Sequence, residues 1–183
     1  MRLDEGTGMV SGADWIQSPN CDDRPPGITV DTLVIHAISL PPNSFGGGHV
    51  ARLFTNRLDP DAHPYFAGIR HLRVSAHFFI DRQGALTQFV PVGKRAWHAG
   101  ESRFRGRDAV NDFSIGVELE GCDNRPFEAV QYSVLTTLTS TLMSAYPALT
   151  PDRIMGHSDI APERKTDPGP GFDWRRFLGE LGS

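Results

Sequence analysis

The chain has 183 residues, 39% hydrophobic and 22% charged, the make-up of an ordinary folded domain, and it is most simply one domain spanning 1–183. Eighteen Lys and Arg against 22 Asp and Glu give a net charge of −4, which argues against a nucleic-acid binder that works by bulk phosphate attraction and leaves only a local basic patch open. No run approaches the ~20 apolar residues a spanning helix needs, and Met1 to Trp15 contains no apolar signal-peptide core, so a cytoplasmic protein without a membrane partner is expected.

Residues 1–31 are polar and carry Pro19, Pro25, Pro26 and Gly27, which predicts an irregular arm laid over the domain. Cys21 and Cys122, far apart in a reduced setting, are expected as free thiols. Thr32 to His36 is a short apolar run between Asp31 and the Leu40-Pro41-Pro42 turn, and reads as a buried strand. Ser44 to Gly48 is a glycine loop. No Gly-Lys-Ser/Thr follows it, so it is no phosphate-binding loop. A short helix over Val50, Leu53 and Phe54 comes next, then a loop from Asp59 to Phe66. Ser75–Ile80 and Ala85–Val90, joined by Asp81 to Gly84, predict a β-hairpin.

Asp112 to Glu120 alternates strictly, placing Phe113, Ile115, Val117 and Leu119 on one face of a strand and Ser114, Gly116, Glu118 and Glu120 on the other. Glycine at 116 leaves space beside Glu118, whose carboxylate is expected to face a cleft. Glu120, near the strand end, is expected in solvent. Phe127 to Tyr146 has helical spacing and stops at Pro147. Arg153 to His157 is a last short strand. Asp173 caps a terminal helix whose buried face is Trp174, Phe177, Leu178 and Leu181. The expected architecture is a single α/β (α+β) domain with a central mixed sheet and flanking helices.

The segment from Gly156 to Pro170 packs His157, Lys165 and Asp167 among Pro162, Pro168 and Pro170, which predict neither helix nor central strand. Imidazole and carboxylate are ordinary zinc ligands, and His36 at a strand exit supplies a third. Taken alone, a histidine such as His36 is more often structural than ligating; the company of His157 and Asp167 raises the ligand reading. Three ligands leave a fourth position for water, the catalytic pattern. Glu118 is then the general acid-base, and Lys165 stabilises the oxygen that turns negative. His63, His71 and His77 stay open as alternative ligands, and His98 sits in a loop that can line a cleft. The chemistry that needs these parts is metal-assisted hydrolysis of an amide or ester.

Several ordered motifs carry a resemblance. They are Leu33-Val34-Ile35-His36, His63-Pro64-Tyr65-Phe66, Leu72 to His77, Arg95-Ala96-Trp97-His98-Ala99-Gly100, Asn111 to Gly121 and Ile160 to Pro170. From its first residues to the terminal helix the chain resembles the cytoplasmic 1,6-anhydro-N-acetylmuramoyl-L-alanine amidases of Gram-negative bacteria. Their fold is shared with peptidoglycan recognition proteins and phage T7 lysozyme. The resemblance implies a zinc (Zn2+) amidase of peptidoglycan recycling, with ligands at His36, His157 and Asp167, a catalytic glutamate at Glu118 and a transition-state lysine at Lys165. It also implies a small anhydro-muropeptide substrate, an effect on β-lactamase induction, and substrate contacts from Arg73 and Trp97. A monomer is expected. Ala37 and Val110 depart from the family, which carries asparagine and cysteine there. The competing expectations are a non-catalytic peptidoglycan-binding module of this fold, and a periplasmic or lysis amidase acting on intact wall.

Overall fold

The computed structural model describes Met1 to Gly182. In chain order the elements are β1 (Leu3–Asp4), β2 (Met9–Val10), β3 (Asp14–Trp15), β4 (Cys21–Asp23), β5 (Thr32–Ile38), α1 (His49–Phe54), α2 (Pro64–Ile69), β6 (Phe78–Ile80), β7 (Leu86–Gln88), β8 (Lys94–Ala96), β9 (Arg103–Phe104) and β10 (Arg107–Asp108), followed by β11 (Ser114–Glu120), α3 (Ala129–Ala145), β12 (Ile154–Gly156), α4 (His157–Ile160) and α5 (Trp174–Leu181). Six strands form one mixed sheet in the order β12-β5-β11-β6-β7-β3. The first four run parallel, β7 turns back antiparallel through the expected hairpin, and β3 pairs parallel to β7 at the edge. This is the expected mixed sheet with flanking helices.

The apolar stretch Leu33-Val34-Ile35 is fully buried, because a central parallel strand is covered on both faces. One face carries Leu33, Ile35, Ile115, Val117 and Leu119 against Leu135, Leu138 and Leu142 of α3. Each such side chain contributes roughly 1.5–3 kcal/mol by leaving water. Glu128 caps α3, its N–H donating to Gln131 Oε1. The Gln131 amide in turn donates to the carbonyls of Glu120 and Ile80, tying helix to sheet. Asp173 Oδ1 caps α5 by accepting from Arg176 N, as expected, but Leu178 is exposed and only Phe177 of that helix is fully buried.

Four expectations are corrected. The arm 1–31 is irregular only in part: β1 and β2 pair, β4 pairs with β8, and β3 extends the main sheet. The loop ending at Phe66 holds a helix instead, with His63 Nδ1 accepting from Tyr65 N and Pro64 in the first turn, a standard helix start. A short helix does form at His157–Ile160, because Pro162 lies just beyond it and interrupts nothing. Glu120 is 4% exposed, not solvated. Its Oε1 accepts from Gly46 N and its Oε2 from Arg82 N, so it pins the glycine loop and the hairpin turn to the sheet.

Candidate metal centre

His36 stands near the end of β5 and is register partner of Glu118 on β11. Gly156 of β12 pairs with Ile35, so His157, the next residue, comes level with His36. The site therefore gathers at the carboxyl ends of three adjacent parallel strands, where open α/β sheets bind their ligands. Asp167 arrives from the proline segment, held by its carbonyl accepting from Ser158 N at 2.9 Å.

His36, His157 and Asp167 come together as one cluster. His36 Nδ1 and His157 Nδ1 are 2.9 Å apart, and Asp167 Oδ2 lies 3.1 Å from His157 Nδ1 and 3.4 Å from His36 Nδ1. Ligands bonded tetrahedrally at ~2.0–2.1 Å sit about 3.3 Å from one another, so this triangle, slightly contracted along two edges, is near the size a zinc ion requires. The proton inventory agrees. His157 Nε2 faces the carbonyl of Ala99 at 3.2 Å, an acceptor only, so Nε2 bears the hydrogen and Nδ1 turns a lone pair to the centre. Burial pushes the His36 imidazole down to about 4, against the pull of the neighbouring Asp167 carboxylate, so it is neutral and able to ligate. Burial works against the Asp167 carboxylate, but the His157 and His36 imidazoles beside it outweigh that and hold its pKa well below the usual range.

A cavity of about 540 Å³ opens beside the cluster. Glu118, His98, His157, Lys165 and Asp167 line its polar side, and Leu40, Tyr65, Ile69 and Leu72 its apolar side. Glu118 Oε2 is buried without a hydrogen-bond partner. Burial raises the Glu118 pKa well above the carboxylate range, Asp167 raises it further, and Lys165 opposes both. Such a carboxyl is suited to taking up and releasing a proton near neutrality.

His63 and His71 lie away from the cluster as exposed residues. His77 is spent in the sheet: its Nδ1 accepts from Gly116 N and its Nε2 faces the Lys94 carbonyl. His98, expected only to line a cleft, puts Nδ1 2.9 Å from His36 Nε2. The space left by glycine at 116 is filled by its ring, for a Cβ there would lie 2.5 Å from His98 Cγ. Arg73 is exposed and donates to the carbonyls of Arg70 and Leu72. Trp97 is half-buried and hydrogen-bonds Asp22. Neither is in the cavity lining.

The family model for N-acetylmuramoyl-L-alanine amidase matches residues 26–170. The chain is 52% identical over 174 residues to the 1,6-anhydro-N-acetylmuramyl-L-alanine amidase AmpD of Haemophilus influenzae, covering 95% of each. It is 54% identical to AmpD of Citrobacter freundii, covering 97% of this chain and 93% of the relative. A crystal structure of a selenomethionine AmpD derivative superposes with a TM-score of 0.95 at 52% identity over 99% of both chains. The amidase AmiD of Escherichia coli, solved with the substrate anhydro-N-acetylmuramic acid-L-Ala-D-γ-Glu-L-Lys, has a TM-score of 0.61 at 30% identity, over 87% of this chain and 60% of that one.

Proposed function

Because the chain belongs to the N-acetylmuramoyl-L-alanine amidase family, we propose that it hydrolyses the amide between the lactyl group of 1,6-anhydro-N-acetylmuramic acid and L-alanine, with zinc held by His36, His157 and Asp167. The observation that carries this reading is the convergence of those three ligand atoms beside the unpartnered Glu118 oxygen in one cavity. The near-full-length likeness to AmpD amidases supports the anhydro-muropeptide as substrate and peptidoglycan recycling as the setting.

Bound zinc supplies Lewis acidity, acidifying water and drawing charge from the amide carbonyl. The chain does the rest. Leu40, Tyr65, Ile69 and Leu72 give the substrate an apolar wall and keep bulk water from the reacting bond. Glu118 takes the proton of the attacking water and returns it to the nitrogen of L-alanine, so that the C–N bond breaks to an amine and a lactyl carboxylate. Lys165, in the same lining, offers its ammonium to the carbonyl oxygen as that oxygen turns negative. Arg73, exposed next to the lining residue Leu72, meets a stem-peptide carboxylate that projects past the cavity.

Among the described residues no helix is long and apolar enough to cross a membrane. The proposal places the enzyme in the cytoplasm as a monomer acting on a small muropeptide, without nucleic acid. A pure binding module is disfavoured, since such a module needs neither the ligand triangle nor the unpartnered Glu118. The test pairs zinc content of the purified protein with stem-peptide release from anhydro-N-acetylmuramoyl-tripeptide, with and without chelator. About one zinc per chain and chelator-sensitive release support the proposal; zinc without release points to another substrate, and neither zinc nor release removes it.

A further inference from the structure

We propose that His98 is a positioning residue for the metal ligand His36, and that the dipeptide His98-Ala99 fixes the outer nitrogens of both ligand imidazoles from one backbone segment. The inference rests on the metal reading above. His98 Nδ1 lies 2.9 Å from His36 Nε2, while the carbonyl of Ala99 lies 3.2 Å from His157 Nε2. Adjacent residues thus face both rings on the side opposite the centre.

The proton inventory runs one way. For His36 to turn a lone pair at Nδ1 toward the centre it shares with His157 and Asp167, its Nε2 must carry the hydrogen and donate it to His98 Nδ1. His98 then carries its own hydrogen on Nε2, which is 3.1 Å from Ser114 Oγ, an available acceptor. The chain His36–His98–Ser114 leaves no ring nitrogen without a role. Were His98 to hold its hydrogen on Nδ1, it would force the His36 hydrogen to the inner nitrogen, where a cation must bind.

The segment is itself held. Asn111 Oδ1 accepts from both His98 N and Ala99 N, at 3.2 and 2.8 Å, and Arg164 Nη2 donates to the Ala99 carbonyl at 2.7 Å. The His98 ring fills the space over Gly116, where any Cβ would collide with it. The ring therefore keeps its place and orientation before a metal arrives. Partners of this kind around ligating histidines are worth on the order of 10- to 100-fold in metal affinity.

The test measures zinc dissociation constants by competition with a chromophoric chelator, for the wild type and for His98→Phe, His98→Asn and Ser114→Ala. Phenylalanine keeps a ring in the space but accepts no hydrogen bond. Asparagine places Oδ1 at the level of the lost Nδ1. The expected result is zinc binding weakened about 10- to 100-fold in His98→Phe, largely restored in His98→Asn, and weakened less in Ser114→Ala. The cobalt-substituted His98→Phe protein should also show a shifted d–d absorption band, which a merely structural defect would not produce. Wild-type affinity and an unshifted band in His98→Phe overturn the proposal. Should His98→Phe fail to fold, the comparison of Ser114→Ala with wild type decides, and unchanged affinity there overturns it. A wild type that binds no zinc overturns the metal reading itself and this proposal with it.

Discussion

Glu118 and His36 are register partners on adjacent parallel strands, so their side chains leave the same face of the sheet at the same height. The proposed acid-base group and a proposed metal ligand are thus set by backbone pairing and not by flexible loops. On the proposed mechanism, replacing Glu118 removes the proton carrier without touching a ligand. Glu118→Gln is expected to lower kcat by about 10²- to 10⁴-fold while zinc content stays at the wild-type level. Turnover within a few-fold of wild type would exclude Glu118 from the reaction.

The same carboxyl carries a cost for the fold. Burial and Asp167 raise its pKa well above the usual range, against the opposing charge of Lys165. A group whose folded pKa exceeds its unfolded value stabilises the fold below the unfolded value, and loses that contribution as pH rises through the folded one. Metal-free Glu118→Gln cannot ionise. It should melt at a higher temperature than metal-free wild type near about pH 8, with the difference closing toward about pH 4, the unfolded carboxyl value. Thermal melts across that range check it, and a difference independent of pH would contradict it.

Asp167→Asn keeps the size of the side chain but removes the charge that balances a cation. It should lose zinc more readily on dialysis and lose activity in step. Full zinc occupancy in this variant would mean that another group completes the ligand set. In the wild type, zinc at a hundred times its dissociation constant should add about 2.7 kcal/mol of stability. Chelator should remove that increment together with turnover, and added zinc should restore both.

Glu120→Ala leaves the Gly46 and Arg82 amides without their acceptor. A loss of about 1–3 kcal/mol is expected in urea unfolding. Ser39, Leu40 and Pro42, which line the cavity just before that glycine loop, lose a tether, so KM should rise more than kcat falls. An unchanged KM would show that the loop holds its place without Glu120.

The site was largely legible in the sequence because its polar residues stand where structure alone gives them no reason to be. His36 follows an unbroken apolar run, and His157, Lys165 and Asp167 crowd a proline-rich segment. Glu120 departs from the expectation because alternation alone predicts one dry and one wet face, whereas a central parallel strand is covered on both. The two-residue strands of the N-terminal arm are too short to show a period. The helix at Pro64 had its signals, a capping side chain and a proline in the first turn, but it is only six residues long. The contact of His98 with His36 joins positions 62 apart in the chain, and no local pattern encodes such a pair.

The ligand triangle has a temporal consequence as well. His36 and His157 are separated by 121 residues, and Asp167 follows later still. Strands β5, β11 and β6 precede β12 and the proline segment in the chain, so of the three clustered residues only His36 belongs to the part of the sheet made first. Closing so long a loop is among the slow steps of folding. A cation held by all three would tie the last strand and the segment after it to the rest of the sheet, and could do so only once that strand is in place.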